Sequence, residues 1–209
     1  MKKPVQKAKL LIVANPTSPD SELWPSLPYA EGEGKSLRDM FPSHNVQLLI
    51  GSDAKEATVK KLLSESDIIH FAAHAFVMAS NPYLSSIVLS PNSDPARNDG
   101  FLTLYELRTI PLRSSLVTLN SCEAGKGPAF GDGIAGFANQ ILKAGAKNVL
   151  VSLWEVNDEV GKAAIKNLYK EMINNGKTPS QALRTAQLKI KEYYKSPELW
   201  GTFVMYSSQ

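Results

Sequence analysis

Three histidines and a single cysteine carry the clearest options for acid–base or nucleophilic chemistry in this 209-residue chain. His70 and His74 fall within Asp67–His74 (DIIHFAAH), a run that reads as a strand, on one face of it but at different depths. His70 is mid-strand among Ile68, Ile69 and Phe71, which suits a packed histidine with one satisfied nitrogen. His74 follows two alanines at the strand's carboxyl end, where open sheets build their sites and where a catalytic base would stand. His44 lies in a Pro-Ser-His-Asn turn and reads as a solvated surface residue.

Cys122 closely follows the apolar run Ser115–Leu119, so it too is expected at a strand's carboxyl end, entering a glycine-rich loop (Asn120-Ser121-Cys122-Glu123-Ala124-Gly125). A lone cysteine is commonly a small buried hydrophobe, and spacing alone leaves both readings open. If the strands at 67–72 and 115–119 are neighbours, His74 and Cys122 emerge at one rim. An imidazolium beside a thiol favours the thiolate, which is the nucleophile. A third group that orients the imidazole is common but not required. One thiol excludes an internal disulfide and a paired-cysteine zinc site. Gly131–Gly136 (GDGIAG) fits the dinucleotide fingerprint GxGxxG, but that motif needs a strand directly ahead of it. Gly127-Pro128-Ala129-Phe130 stands there instead, and the match is read as accidental. No cofactor or metal is expected.

The elements that must position these residues alternate regularly. Lys9–Asn15, Asn45–Ile50, Asp67–Ala72, Ser115–Leu119 and Asn148–Leu153 are short, mostly continuous apolar runs, as in parallel strands covered on both faces. Helices are expected at Glu33–Phe41, Lys55–Leu63, Gly133–Ala144, Asp158–Asn174 and from Thr178-Pro179 to about Tyr194, with a last strand at Thr202–Tyr206. Asn157 caps the fourth helix, Asn175-Gly176 stops it, and Thr178 with Gln181 forms a capping box for the fifth. The alternation predicts a three-layer α/β fold. Composition agrees: 43% hydrophobic, 21% charged, with 13 Gly and 13 Pro, an ordinary globular balance. A net charge of +3 with scattered positives gives no footing for nucleic acid, and no run nears the ~20 residues of a membrane span. The basic start Met1-Lys2-Lys3-Pro4 is followed only by Leu10–Ala14, too short for an export segment, so a cytoplasmic setting is expected. Ser90–Gly100 (SPNSDPARNDG), which includes Arg97, reads as an exposed, mobile loop suited to gating or autoprocessing.

The segments HFAAHAF, LTLYEL, NSCEAG and GFANQILKAGAKNVLVSLWEVND, with Leu27–Glu33 (LPYAEGE) near the start, resemble the CHAT-domain proteases, caspase-like cysteine peptidases related to separase. The resemblance runs from Leu10 to Tyr206 and implies a single peptidase domain over residues 1–209, with 1–8 a flexible N-terminus. It implies a caspase-haemoglobinase sheet of six strands, order 2-1-3-4-5-6, the last antiparallel. His74 takes the place of the catalytic histidine and Cys122 that of the nucleophile. The backbone N–H groups of Cys122 and of the residue after the histidine form the oxyanion hole; the family usually has Gly there, and here it is Ala75. Asp158, with Asp132 as a second candidate, matches the acid that receives a basic P1 side chain, and Trp154 could wall that pocket. The implied partners are a protein substrate and a regulatory or sensor protein, TPR-like or CRISPR-linked, in a bacterial defence or signalling system. A caspase-like module that binds without turnover is the alternative.

Overall fold

Strands with no polar face must be covered on both sides, and the computed structural model pairs the apolar runs into one six-stranded sheet whose four inner strands are buried. It describes residues 5–78, 80–94, 96, 98–120, 130–154 and 157–208, with 130–134 and 158 known by backbone only. In chain order the elements are β1 (Leu10–Pro16), α1 (Pro28–Arg38), β2 (Val46–Gly51), α2 (Glu56–Leu63), β3 (Ile68–Ala72), β4 (Ala75–Phe76), β5 (Ser86–Val88) and β6 (Phe101–Thr103). There follow α3 (Leu104–Leu107), β7 (Leu116–Leu119), α4 (Phe130–Lys143), β8 (Asn148–Ser152), α5 (Asp158–Asn175), α6 (Pro179–Tyr193), α7 (Pro197–Trp200) and β9 (Phe203–Ser207). The main sheet has the order β2-β1-β3-β7-β8-β9. All its pairs are parallel except β8–β9, which is the order the resemblance implies.

Alternate residues of the same strands feed two separate cores. Leu11, Val13, Ile69, Phe71, Val117, Leu119, Val149 and Val151 pack on one face against α2, α3 and α4. Leu10, Ile12, Ala14, Ile68, Ala72, Leu116 and Leu150 pack on the other, against α1, α5 and α6. Asn157 caps α5 and the Thr178–Gln181 box caps α6, as expected. A second sheet, β4-β5-β6, is antiparallel and leaves the main one directly after His74. Its strands hold two or three residues, too few for a period-2 pattern to register in the sequence.

Three local expectations change. Helix α1 begins at Pro28 rather than Glu33, because Gly32 and Gly34 mask a helix that Pro28 opens at its first position. Gly34 is there for contact: a Cβ would come within 2.8 Å of the Ala14 Cβ and 3.3 Å of Ile12 and Leu48, so α1 lies directly on β1 and β2. Near the N-terminus, Val5–Lys7 form a 3-10 turn and Ala8 is buried, while Gln6 Nε2 donates to the Ile173 carbonyl at 2.7 Å. Residues 5–8 are therefore docked on the core. The Ser90–Gly100 excursion is pinned at both ends. Buried Glu56 accepts the Gly100 N–H at 2.8 Å and its own N–H donates to Ser90 O at 3.0 Å, while the Ala57 N–H donates to Asn92 Oδ1 at 3.1 Å. Lys60 neutralises that carboxylate and Glu106 together. Ser93, Asp94 and Ala96 are exposed at the tip, and Arg97 lies outside the described residues.

A Gly34→Ala variant tests the α1 contact. Helix propensity alone would gain ~0.5–1 kcal/mol, but overpacking against backbone-fixed Ala14 costs ~1–3 kcal/mol. The expected outcome is a net loss of about 1 kcal/mol in unfolding free energy by urea titration; a stabilised variant would show that α1 can lift off the sheet freely.

Candidate active site

Parallel pairing sets the geometry of one rim. Phe71 of β3 is opposite Leu119 of β7, and Leu119 is opposite Val151 of β8. His74, Cys122 and Trp154 each come three positions after this row (74−71, 122−119, 154−151). The condition set on the strands at 67–72 and 115–119 is thus met: they are neighbours, and both run toward the same edge. Cys122 itself lies outside the described residues.

His74 is 6% exposed and held on two sides. Its Nε2 is 2.7 Å from the carbonyl oxygen of Pro25, in the loop between β1 and α1. A carbonyl only accepts, so Nε2 carries a proton and donates it to Pro25. The Trp24 ring covers the imidazole at a centroid distance of 5.5 Å and stacks on Phe76 at 5.3 Å. The third, orienting group that the sequence left open is therefore a main-chain carbonyl. Side-chain identity carries no trace of it, because every residue has one.

Ala75 stands where the family usually has glycine, and its backbone accommodates the change. Among the described residues Asn15 is the one non-glycine with positive φ, so Ala75 has an ordinary backbone that tolerates a Cβ. It pairs with Ile87 across β4–β5, and the Val88 N–H donates to the His74 carbonyl at 2.8 Å. Amide directions alternate along a strand, so those of His74 and Phe76 face β5 while that of Ala75 faces the opposite, outer edge. A donor aimed out of the sheet beside the histidine is what oxyanion stabilisation requires.

Beneath the rim lies a buried polar cluster. His70, fully buried, donates from Nε2 to Glu33 Oε1 at 2.7 Å. Asn120, the first residue past β7, donates to both Glu33 oxygens at 2.9 and 2.8 Å. His70 Nδ1 then accepts from the Tyr169 hydroxyl at 3.4 Å, which is also 3.4 Å from Thr118 Oγ1. Burial pushes the Tyr169 phenol well above its usual range, so it serves as a neutral donor. His70 thus has partners at both nitrogens rather than one. The Asn120 Oδ1 is buried and has no partner among the described residues. Glu33 and Asn120 both fall in the motifs of the family resemblance, yet only the fold brings them together.

The pocket candidates stand nearby in the chain's path. Trp154 comes just after β8, and its indole N–H donates to the Glu198 carbonyl of α7 at 2.8 Å, which fixes the ring's edge. Asp132 and Asp158 fall in the first turns of α4 and α5; their side chains lie outside the described residues. Gly131–Gly136 is part of α4 itself and not a loop ahead of a helix, so it cannot cradle a pyrophosphate. His44 is exposed, as expected. Among the described residues no group of three His, Cys, Asp or Glu could hold a metal ion, and no helix is long and apolar enough to cross a membrane.

The family model of the CHAT domain matches residues 1–208. Tetratricopeptide repeat protein 28 of Mus musculus is 25% identical over 239 residues, and that of Homo sapiens 26% over 238. Each match takes in 94% of this chain but spans only 9% of the relative's length. Among solved structures, separase from the Saccharomyces cerevisiae separase–securin complex superposes with a TM-score of 0.59 at 17% identity, covering 96% of this chain and 12% of that one. The Arg-specific cysteine proteinase gingipain R gives 0.57 at 8% identity, covering 99% and 48%. At such identities the likeness is one of fold, a caspase-like α/β sheet.

Glu33→Gln probes the buried cluster. An amide in place of the carboxylate sets one donor against the Asn120 or His70 donors, and an unsatisfied buried polar group costs ~1–3 kcal/mol. A loss of that order in unfolding free energy is expected; an unchanged urea midpoint would mean that the carboxylate is not the acceptor of both.

Proposed function

The chain belongs to the CHAT-domain family, and on that premise we propose that it is a cysteine endopeptidase making limited cuts in a protein partner through His74 and Cys122. The observation that carries the reading is the pinned imidazole. His74 is fixed by Pro25 at the same strand-end position on β3 that Cys122, the one thiol, occupies in sequence after the neighbouring β7. Beside it, the Ala75 N–H points outward.

In this reading His74 Nδ1 takes the Cys122 proton, giving a thiolate–imidazolium pair. The sulfur attacks the scissile carbonyl, and the Ala75 and Cys122 N–H groups hold the oxyanion, each such donor contributing about 3 kcal/mol to the transition state. The tetrahedral intermediate collapses as Nδ1–H protonates the leaving amine. Water, deprotonated by the same nitrogen, then hydrolyses the thioester and restores the thiol. No cofactor enters any step.

Asp158, or Asp132 in its place, receives a basic P1 side chain, with Trp154 as a wall. The family resemblance, which places an acid for the P1 side chain at the position of Asp158, supports this. Regulation comes from a sensor or repeat-containing partner in a defence or signalling setting, since the curated relatives are tetratricopeptide repeat proteins of which this chain spans a small part. The site of action is the cytoplasm, where a lone thiol stays reduced.

Because the chain has one cysteine, iodoacetamide reports on a single site. Labelling near neutral pH is expected to outpace that of free cysteine and to slow roughly tenfold in His74→Ala, which removes the group that favours the thiolate. Cys122→Ala abolishes new N-termini in a treated lysate with little change in Tm; cutting that persists in this variant refutes the nucleophile. Asp158→Asn lowers kcat/KM for Arg and Lys P1 substrates about 100-fold relative to apolar P1, and equal loss for every P1 removes the charge assignment.

A further inference from the structure

We propose that Asn15 is a positioning residue for the active-site imidazole: its carboxamide clasps the loop that presents the Pro25 carbonyl to His74. The proposal rests on the reading of His74 as the base. A carbonyl in a loop of irregular backbone orients an imidazole only if the loop itself is held. Residues 17–27 contain no helix or strand, and Pro25 and Ser26 are exposed. What holds the far side of Pro25 is Asn15. Its Oδ1 accepts the Leu27 N–H at 2.6 Å, and its amide meets the Ser26 hydroxyl at 3.2 Å from Nδ2 and 3.3 Å from Oδ1. On the near side, Ser18 Oγ donates to the Trp24 carbonyl at 2.8 Å, and the Trp24 ring rests on His74. The Pro25 peptide is thereby fixed from both neighbours.

The backbone at Asn15 is bent to make this reach possible. The β1–β2 ladder shifts register between Ala14 and Pro16, so Asn15 is the extra residue of a bulge, and its φ is 48°. A bulge re-aims a side chain, and asparagine tolerates the left-handed region better than other residues with a Cβ. The bulge is also in the right place, since Ala14 of β1 pairs with Ala72 of β3, two residues before His74.

The chain's three histidines make a direct readout available that does not depend on proteolysis. Protein labelled with 15N-histidine is observed by NMR, with the His74 ring assigned from His74→Ala. Asn15→Gly keeps the φ and deletes the carboxamide; Asn15→Asp keeps an acceptor for the Leu27 N–H. In the parent, His74 is expected as the Nε2–H tautomer with a slowly exchanging proton. In Asn15→Gly the second tautomer is populated, solvent exchange of that proton speeds up about tenfold or more, and Cys122 alkylation falls toward the His74→Ala rate; Asn15→Asp restores all three. An unchanged tautomer and exchange rate in Asn15→Gly overturns the proposal, as does failure of Asn15→Asp to rescue. Should Asn15→Gly not fold, Ser26→Ala, which removes only the hydroxyl half of the clasp, takes its place: a partial tautomer shift supports the clasp and an unshifted ring overturns it. If His74→Ala leaves labelling of Cys122 unchanged, the peptidase reading fails by itself, while the tautomer still decides the role of Asn15.

Discussion

The in-register parallel pairing of β3 with β7 is the constraint on which the rest of the site depends. Two strands far apart in sequence are forced to end at the same height and on the same edge, because parallel ladders align carboxyl ends by construction. Crossovers of helix and loop cover both faces, so the strands themselves stay rigid and the chemistry is left to the residues just beyond their ends. His74, three positions beyond the last paired row of β3, needs no further device to reach that edge.

What the pairing does not supply is orientation, and the fold provides it with main-chain groups. The imidazole of His74 takes its tautomer from a carbonyl, and the Ala75 amide takes its direction from the alternation of a two-residue strand, β4. The small sheet β4-β5-β6 is thus part of the site's frame, since without Val88 donating to the His74 carbonyl nothing would turn the next amide outward. Under this frame sits a buried carboxylate, Glu33, whose charge is balanced by donors from β3 and from the residue after β7. Such a cluster is costly to break and tolerates few arrangements, which makes it a means of specifying position. It ties α1, β3 and the start of the Cys122 segment to one point.

The family and the fold fit that picture without adding chemistry to it. The caspase-like sheet is shared with separase and gingipain R at identities too low to speak for substrate. The chain's likeness to a small part of much longer tetratricopeptide repeat proteins places a module of this kind beside others.

Much of this was legible in the residues themselves. Continuous apolar runs identify buried parallel strands because burial on both faces removes the polar alternation; the capped helices near Asn157 and Thr178 are local chemistry and so appear locally. His74 and Cys122 stand out because imidazole and thiol are rare here and fall just past strands. Three things were not written there. Helix α1 hid behind Gly32 and Gly34, residues of poor propensity, of which Gly34 is there for its close packing on Ala14. The strands β4, β5 and β6 are too short to carry a period. The partners of His70 and His74, namely Glu33 and Tyr169 for the first and the Pro25 carbonyl for the second, come from segments distant in sequence, and one of them is backbone. Residue types determined which groups could react and which segments would be buried, since those depend on side-chain chemistry and local period. Only the tertiary structure decided which carbonyl, carboxylate and amide face them, because hydrogen-bond partners are set by strand register and crossover, over separations that no local pattern spans.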